Sequence, residues 1–135
     1  MKNFLIKGFA AGAALLVLSY VSLYLLVMLF PALAEQYWDT TFNFEGNKGI
    51  LFFIHPFILS FGLAWFWRRF KSLFHGPFWW RGMEMGLVYG LIATLPSMWM
   101  LYSAMNISLT LVLSWFVYGV LQAVVVGIIF AKISP

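Results

Sequence analysis

The sequence predicts an all-α integral membrane protein: an antiparallel four-helix transmembrane bundle in one domain, residues 1–135, with both termini cytoplasmic. Three observations lead there. Apolar residues make up 64% of the chain and charged residues only 9%, whereas a soluble domain gives about a quarter of its residues to charge. A small domain leaves much of its area exposed, so no soluble fold of this length hides that much apolar surface, and lipid becomes the solvent. Finally, the apolar residues fall into four runs bounded by charge, at 8–34, 49–67, 82–103 and 107–131. Each reaches the ~18–20 residues that cross ~30 Å of hydrocarbon at ~1.5 Å per residue. A closed β-barrel would require apolar–polar alternation at period two, and no run shows it.

The first run follows Lys2 and Lys7 and ends in Ala32, Leu33 and Ala34 before Glu35, a small-x-small pattern like that of a cleaved secretory signal. Its apolar stretch exceeds the ~7–15 residues of a signal core, so it is read as a true first helix. Residues 35–48 form a loop whose Tyr37, Trp38, Phe42 and Phe44 suit the membrane interface. The second run carries His55 and Pro56. The proline removes a backbone donor, which predicts a local kink. The following loop, 68–81, interleaves Arg68, Arg69 and Lys71 with Trp79 and Trp80. Half-wet rings beside cations fit lipid head groups, so these five residues are expected to contact them, and no nucleic-acid partner is expected. A very short turn near residues 104–106 makes the third and fourth helices antiparallel neighbours. The Asn106-Ile107-Ser108 triplet has the form of a glycosylation acceptor but lies too close to the membrane to serve as one.

Basic residues fix the orientation. With the N-terminus inside, Lys2, Lys7, Arg68, Arg69, Lys71, Arg81 and Lys132 gather on the cytoplasmic side, leaving Lys48 outside with Glu35, Asp39 and Glu45. Lys and Arg in short loops resist translocation, so this asymmetry points to a positive-inside topology, and compact loops suit a bacterial inner membrane. There is no cysteine, which removes disulfides, thiolate metal sites, cysteine nucleophiles and cysteine-linked lipid anchors.

The clearest motif is the spacing of small residues. Gly82, Gly86, Gly90 and Thr94 fall four apart, as do Gly119, Ala123, Gly127 and Ala131, and the first run has Gly8 and Gly12. Helices in lipid gain nothing by hiding apolar surface from water, so they associate through close backbone approach, which small residues permit. Helix packing along these seams is expected, within the chain or with another.

Few polar residues fall inside the runs. His55 lies ~9 Å into the second by helical rise. Tyr20, Tyr24, Ser97, Ser114 and Tyr118 reach comparable depth. Polar groups in lipid are costly unless paired, so these six are expected to face one another in an intramembrane pocket. A single axial histidine at His55 also leaves open a haem or chlorin ligand, although nothing in the sequence requires a cofactor. Glu84 sits in the first turn of the third helix, where the dipole favours an anion and Arg81 can pair with it; the pair is a candidate for capping or for ion coupling. Ser114, Tyr118 and Gln122 make a short polar stripe on the fourth helix. No metal-ligand spacing, nucleophile–base pair, paired carboxylates or phosphate-cradling loop is readable, so no enzyme is expected.

Three functional readings follow. The first is a non-catalytic accessory or assembly subunit of a larger membrane complex, whose partners are the bilayer and another membrane protein. The second is a homo-oligomeric transporter, channel or carrier of lipophilic ligands, and the third a single-histidine cofactor or pigment binder.

Overall fold

The computed structural model describes residues 2–38 and 48–135, and every regular element among them is helical. The elements are α1 (Lys2–Leu29), α2 (Pro31–Glu35), α3 (Lys48–Phe70), α4 (Phe78–Tyr89), α5 (Leu95–Ala104) and α6 (Leu109–Ile133). Four stretches are long and apolar enough to cross a membrane: Asn3–Leu29, Gly49–Leu73, Phe78–Ala104 and Leu109–Ile133. The interfacial placement expected of Phe42 and Phe44, and the positions of Asp39 and Glu45, lie outside the described residues.

Prolines set where the helices change. The first helix stops at Leu29 rather than continuing to residue 34, because Pro31 lacks an N–H and disfavours helical backbone in the residue before it. Phe30 accordingly adopts φ −133° and ψ 63°, and Pro31 opens the short α2 from a first-turn position where its missing donor costs nothing. Pro56 behaves differently, since α3 stays helical through it. The third span contains a wide π turn, Gly90–Thr94, directly before Pro96 at the start of α5. Widening the turn relieves the clash between a proline ring and the carbonyl one turn earlier. Between α3 and α4 the chain passes Gly76, whose φ of +98° suits only glycine, and Pro77 then precedes α4. Ser108 caps α6, its Oγ accepting from the Leu111 N–H at 3.2 Å.

Two helix pairs form the body of the protein. α1 packs on α3, α4 packs on α6, and α6 also touches α1 and α3. In the first pair, Gly8 and Gly12 of α1 receive the rings of Phe61 and Phe57. Ser60, fully buried, has its Oγ 2.9 Å from the Gly8 carbonyl across the interface and 2.9 Å from the Phe57 carbonyl of its own helix, with one proton to share between them.

In the second pair the backbones nearly touch. A Cβ added at Gly82 would lie 2.6 Å from the Ile128 nitrogen, and one at Gly127 would lie 2.9 Å from the Gly82 Cα. Gly86 sits against Val124, Gly90 against Val120, and Gly119 against the methyl of Thr94. Any larger residue would push the helices apart and forfeit dispersion contacts along the whole seam.

The core is one-sided. Its buried members are Ala11 and Leu15 of α1, Leu63, Ala64 and Trp67 of α3, Phe74 of the following turn, Met85 of α4, and Ala123, Val126, Phe130 and Ala131 of α6. All come from the half of the bundle that holds both chain ends, where Asn3 and Ser134 border the same cleft. In the opposite half, residues 20–29 of α1, 50–55 of α3 and 95–104 of α5 are mostly exposed, and burial is confined to a few side chains such as Leu33, Leu111 and Val112.

Candidate functional site

The six residues expected to share an intramembrane pocket are not brought together. Tyr20 and Tyr24 are 54% and 64% exposed, and His55 and Ser97 also face outward. Ser97 Oγ donates to the Ala93 carbonyl at 2.7 Å, and Ser114 Oγ donates to the Leu111 carbonyl at 2.6 Å, so both hydroxyls are satisfied by their own helix. Only Tyr118 makes an interhelical polar contact, with Ser19 of α1 at 2.7 Å. Its hydroxyl also accepts from Gln122 Nε2 at 3.1 Å, and Gln122 is buried. Besides the buried Ser60 and Thr94, the inward polar set is therefore Ser19, Tyr118 and Gln122. The reason is azimuthal: equal depth does not place residues on facing sides of their helices, and Ser19, one residue before Tyr20, points the other way.

The Glu84–Arg81 pair takes a different form from the expected one. Glu84 Oε2 accepts from the His75 backbone N–H at 3.3 Å, and Oε1 accepts from the Trp80 indole N–H at 3.1 Å. The carboxylate thus pins the turn before α4 onto that helix. Arg81 turns instead towards α3, its guanidinium 5.0 Å from the Trp67 ring centroid, and donates to the Lys71 carbonyl at 3.5 Å. Its Nε is buried without a hydrogen-bond partner, and the indole face supplies the compensating attraction. Trp67 is itself 2% exposed, stacks on Phe74 at 5.7 Å, and donates its indole N–H to the Ser134 carbonyl at 3.0 Å. Sequence reasoning missed Trp67 and Ser60 as organising residues. Ser60 had a signal, being a lone hydroxyl in mid-run, whereas Trp67 was one aromatic among many.

Of the residues assigned to head groups, Arg68, Arg69, Trp79 and Trp80 are exposed near this end of the bundle. Lys71 Nζ donates to the Pro135 backbone oxygen at 2.6 Å. The small residues assigned to helix packing, Gly82, Gly86, Gly90, Gly119, Ala123 and Gly127, all meet neighbours inside the chain. One glycine in mid-span does not. A Cβ added at Gly62 would meet nothing within 4 Å.

Gly62 belongs to an outward stripe on α3 running through Phe52, His55, Ile58, Gly62 and Trp65, with Ile58 67% and Trp65 61% exposed. The spacing of three and four residues keeps this set on one face. His55 carries no hydrogen bond among the described residues. An imidazole presents a donor and an acceptor that lipid tails cannot satisfy. A planar cofactor ligated by His55 would lie outside the four helices, not within them.

At the other side of the bundle, Tyr37 accepts a hydrogen bond from the Trp115 indole, and Ser108 Oγ donates to Gln36 Oε1. These contacts tie the segment after α2 to α6. Burial pushes the Tyr37 phenol above its ordinary value, and the Trp115 hydrogen bond partly offsets that.

Compared with known proteins, the chain matches no family model, no curated protein and no solved structure.

Proposed function

We propose that this chain is a non-catalytic accessory subunit of a larger complex in a bacterial inner membrane, spanning it as an antiparallel four-helix bundle with both termini cytoplasmic. The orientation rests on seven of the eight Lys and Arg falling to one side. The outward stripe of α3 carries the functional reading. His55 stands ~10 Å from the start of its helix and ~20 Å from Arg68 by helical rise, inside the hydrocarbon, facing away from its own bundle. Leaving its polar atoms unmet costs about 1–3 kcal/mol per group. A transmembrane helix of a different protein, offering a hydrogen-bonding side chain at that depth, removes the cost. Gly62, two turns further on, provides the notch for close approach. The glycines of α1, α4 and α6 are already spent within the chain, whereas Gly62 is open in mid-span.

The test is native mass spectrometry of the protein released gently from its own membranes. A second polypeptide at fixed stoichiometry is expected, lost in Gly62→Leu and His55→Leu and retained in Leu113→Phe, which alters an exposed position of α6. A clean homo-oligomer dependent on the same two residues would replace this reading with the transporter or carrier alternative. A retained coloured small molecule lost only in His55→Leu would replace it with the cofactor-binding one.

A further inference from the structure

A cleft of ≈ 310 Å³ opens between α1, α3 and α6 at the end of the bundle that holds both termini. Its polar wall carries Lys7, Arg68 and Asn3, and its apolar wall Phe4, Phe130 and the buried Trp67. Among the described residues no acidic side chain lines it. Neither Lys7 nor Arg68 is hydrogen-bonded or ion-paired among the described residues, and the Trp67 N–H is already committed to Ser134. The cleft therefore gathers two uncompensated cations and a carboxamide above an aromatic floor. We propose that it binds the phosphate head group of an anionic phospholipid, with the acyl chains lying along the apolar wall and the adjoining helix surfaces.

The chemistry selects this occupant in three ways. An arginine fork and a lysine point charge suit a phosphodiester, the fork engaging two oxygens at once. Two cations with no facing carboxylate leave nothing to hold the ammonium of a zwitterionic head group, so a net negative lipid is preferred. The cleft also lies where three apolar spans end, at the level of the head groups. A soluble phosphate would satisfy the cations but leave the Phe4 and Phe130 side uncovered. The site is independent of the outward face of α3.

The test embeds the full chain in nanodiscs of mixed phosphatidylglycerol and phosphatidylcholine and counts lipids retained on release into the mass spectrometer. One phosphatidylglycerol per chain is expected. Retention should fall about fivefold in Lys7→Gln or Arg68→Gln and about thirtyfold in the double variant. Lys132→Gln, which removes an exposed cation of α6 that does not line the cleft, should leave it within twofold. Because the single variants change partly or fully exposed side chains, they keep the test readable if the double variant unfolds. Equal retention of phosphatidylcholine, equal loss in Lys132→Gln, or no loss in either single variant would overturn the proposal. Displacement of the lipid by millimolar soluble glycerol phosphate would overturn it too, making the cleft a site for a soluble anion.

Discussion

Alanine placed at two glycines should change stability by different amounts, and the difference measures the tight seam between α4 and α6. At Gly82 the new Cβ would sit 2.6 Å from the Ile128 nitrogen and 3.0 Å from its Cα. Both are backbone atoms, which cannot rotate away, so the helices must separate by about 1 Å to restore ordinary contact. A gap of that size forfeits about a quarter to a half of each pairwise attraction along the seam, and overpacking of this kind costs about 1–3 kcal/mol. At Gly62 the Cβ meets nothing within 4 Å. Both substitutions gain the same helix-propensity benefit of about 0.5–1 kcal/mol, so it cancels in the comparison. Gly62→Ala should therefore be neutral to stabilising in the isolated chain, and Gly82→Ala about 1–3 kcal/mol less stable than Gly62→Ala. Reversible unfolding in mixed micelles titrated with sodium dodecyl sulfate, followed by far-ultraviolet circular dichroism, gives both values. If the two variants unfold within about 0.3 kcal/mol of each other, the seam is not the close backbone contact described here.

Two further effects are expected. Ser60→Ala removes the hydroxyl that links α3 to the Gly8 carbonyl and should cost about 0.6 kcal/mol in the same assay and no more than about 1.7, the average and upper bound for hydrogen bonds between membrane helices. Tyr37 should ionise above the usual phenol range in an ultraviolet titration, read as the difference between the native chain and Tyr37→Phe; Trp115→Phe should raise it further by removing the hydrogen bond that lowers it. The sign for stability follows from the raised value: Tyr37's contribution is complete below the ordinary phenol pKa of about 10 and is lost as pH rises through the folded-state value.

The spans were legible because apolar length is a one-dimensional property, and lipid leaves a chain few alternatives to a helix. What three prolines do to those helices was less so. Pro31 ends α1 near the edge of its span, where freed backbone groups can find water. Pro56 sits in mid-span, where breaking the helix would strand carbonyls in hydrocarbon, and α3 stays intact. Pro96 meets an intermediate solution, a π turn that keeps the helix running. Nothing local in the sequence separates these outcomes.

The polar residues illustrate a different limit. Depth along a helix can be counted from the sequence, but the face a residue presents depends on which neighbour packs there. That is why Tyr118 meets Ser19 rather than Tyr20. Glu84 and Arg81 have ideal spacing for a pair, yet the turn at residues 71–77 folds back and brings His75 to one and Lys71 to the other. Fourfold spacing of small residues can be read off a sequence. That Gly62 is open in mid-span depends on which neighbours fill the space around the other glycines.

The position of α6 in the chain has a consequence for biosynthesis. It supplies the ridge that Gly82, Gly86 and Gly90 receive, and it also touches α1 and α3, yet of the four spans it leaves the ribosome after the other three. While it is still in the exit tunnel, α1 and α3 can already pair through Gly8, Gly12 and Ser60, but the glycine face of α4 has nothing to close on. A nascent chain stalled before residue 109 thus exposes a groove shaped for a helix that has not arrived. Proteases and insertases that survey the membrane for unfinished proteins are given a feature that vanishes only when synthesis of α6 is complete.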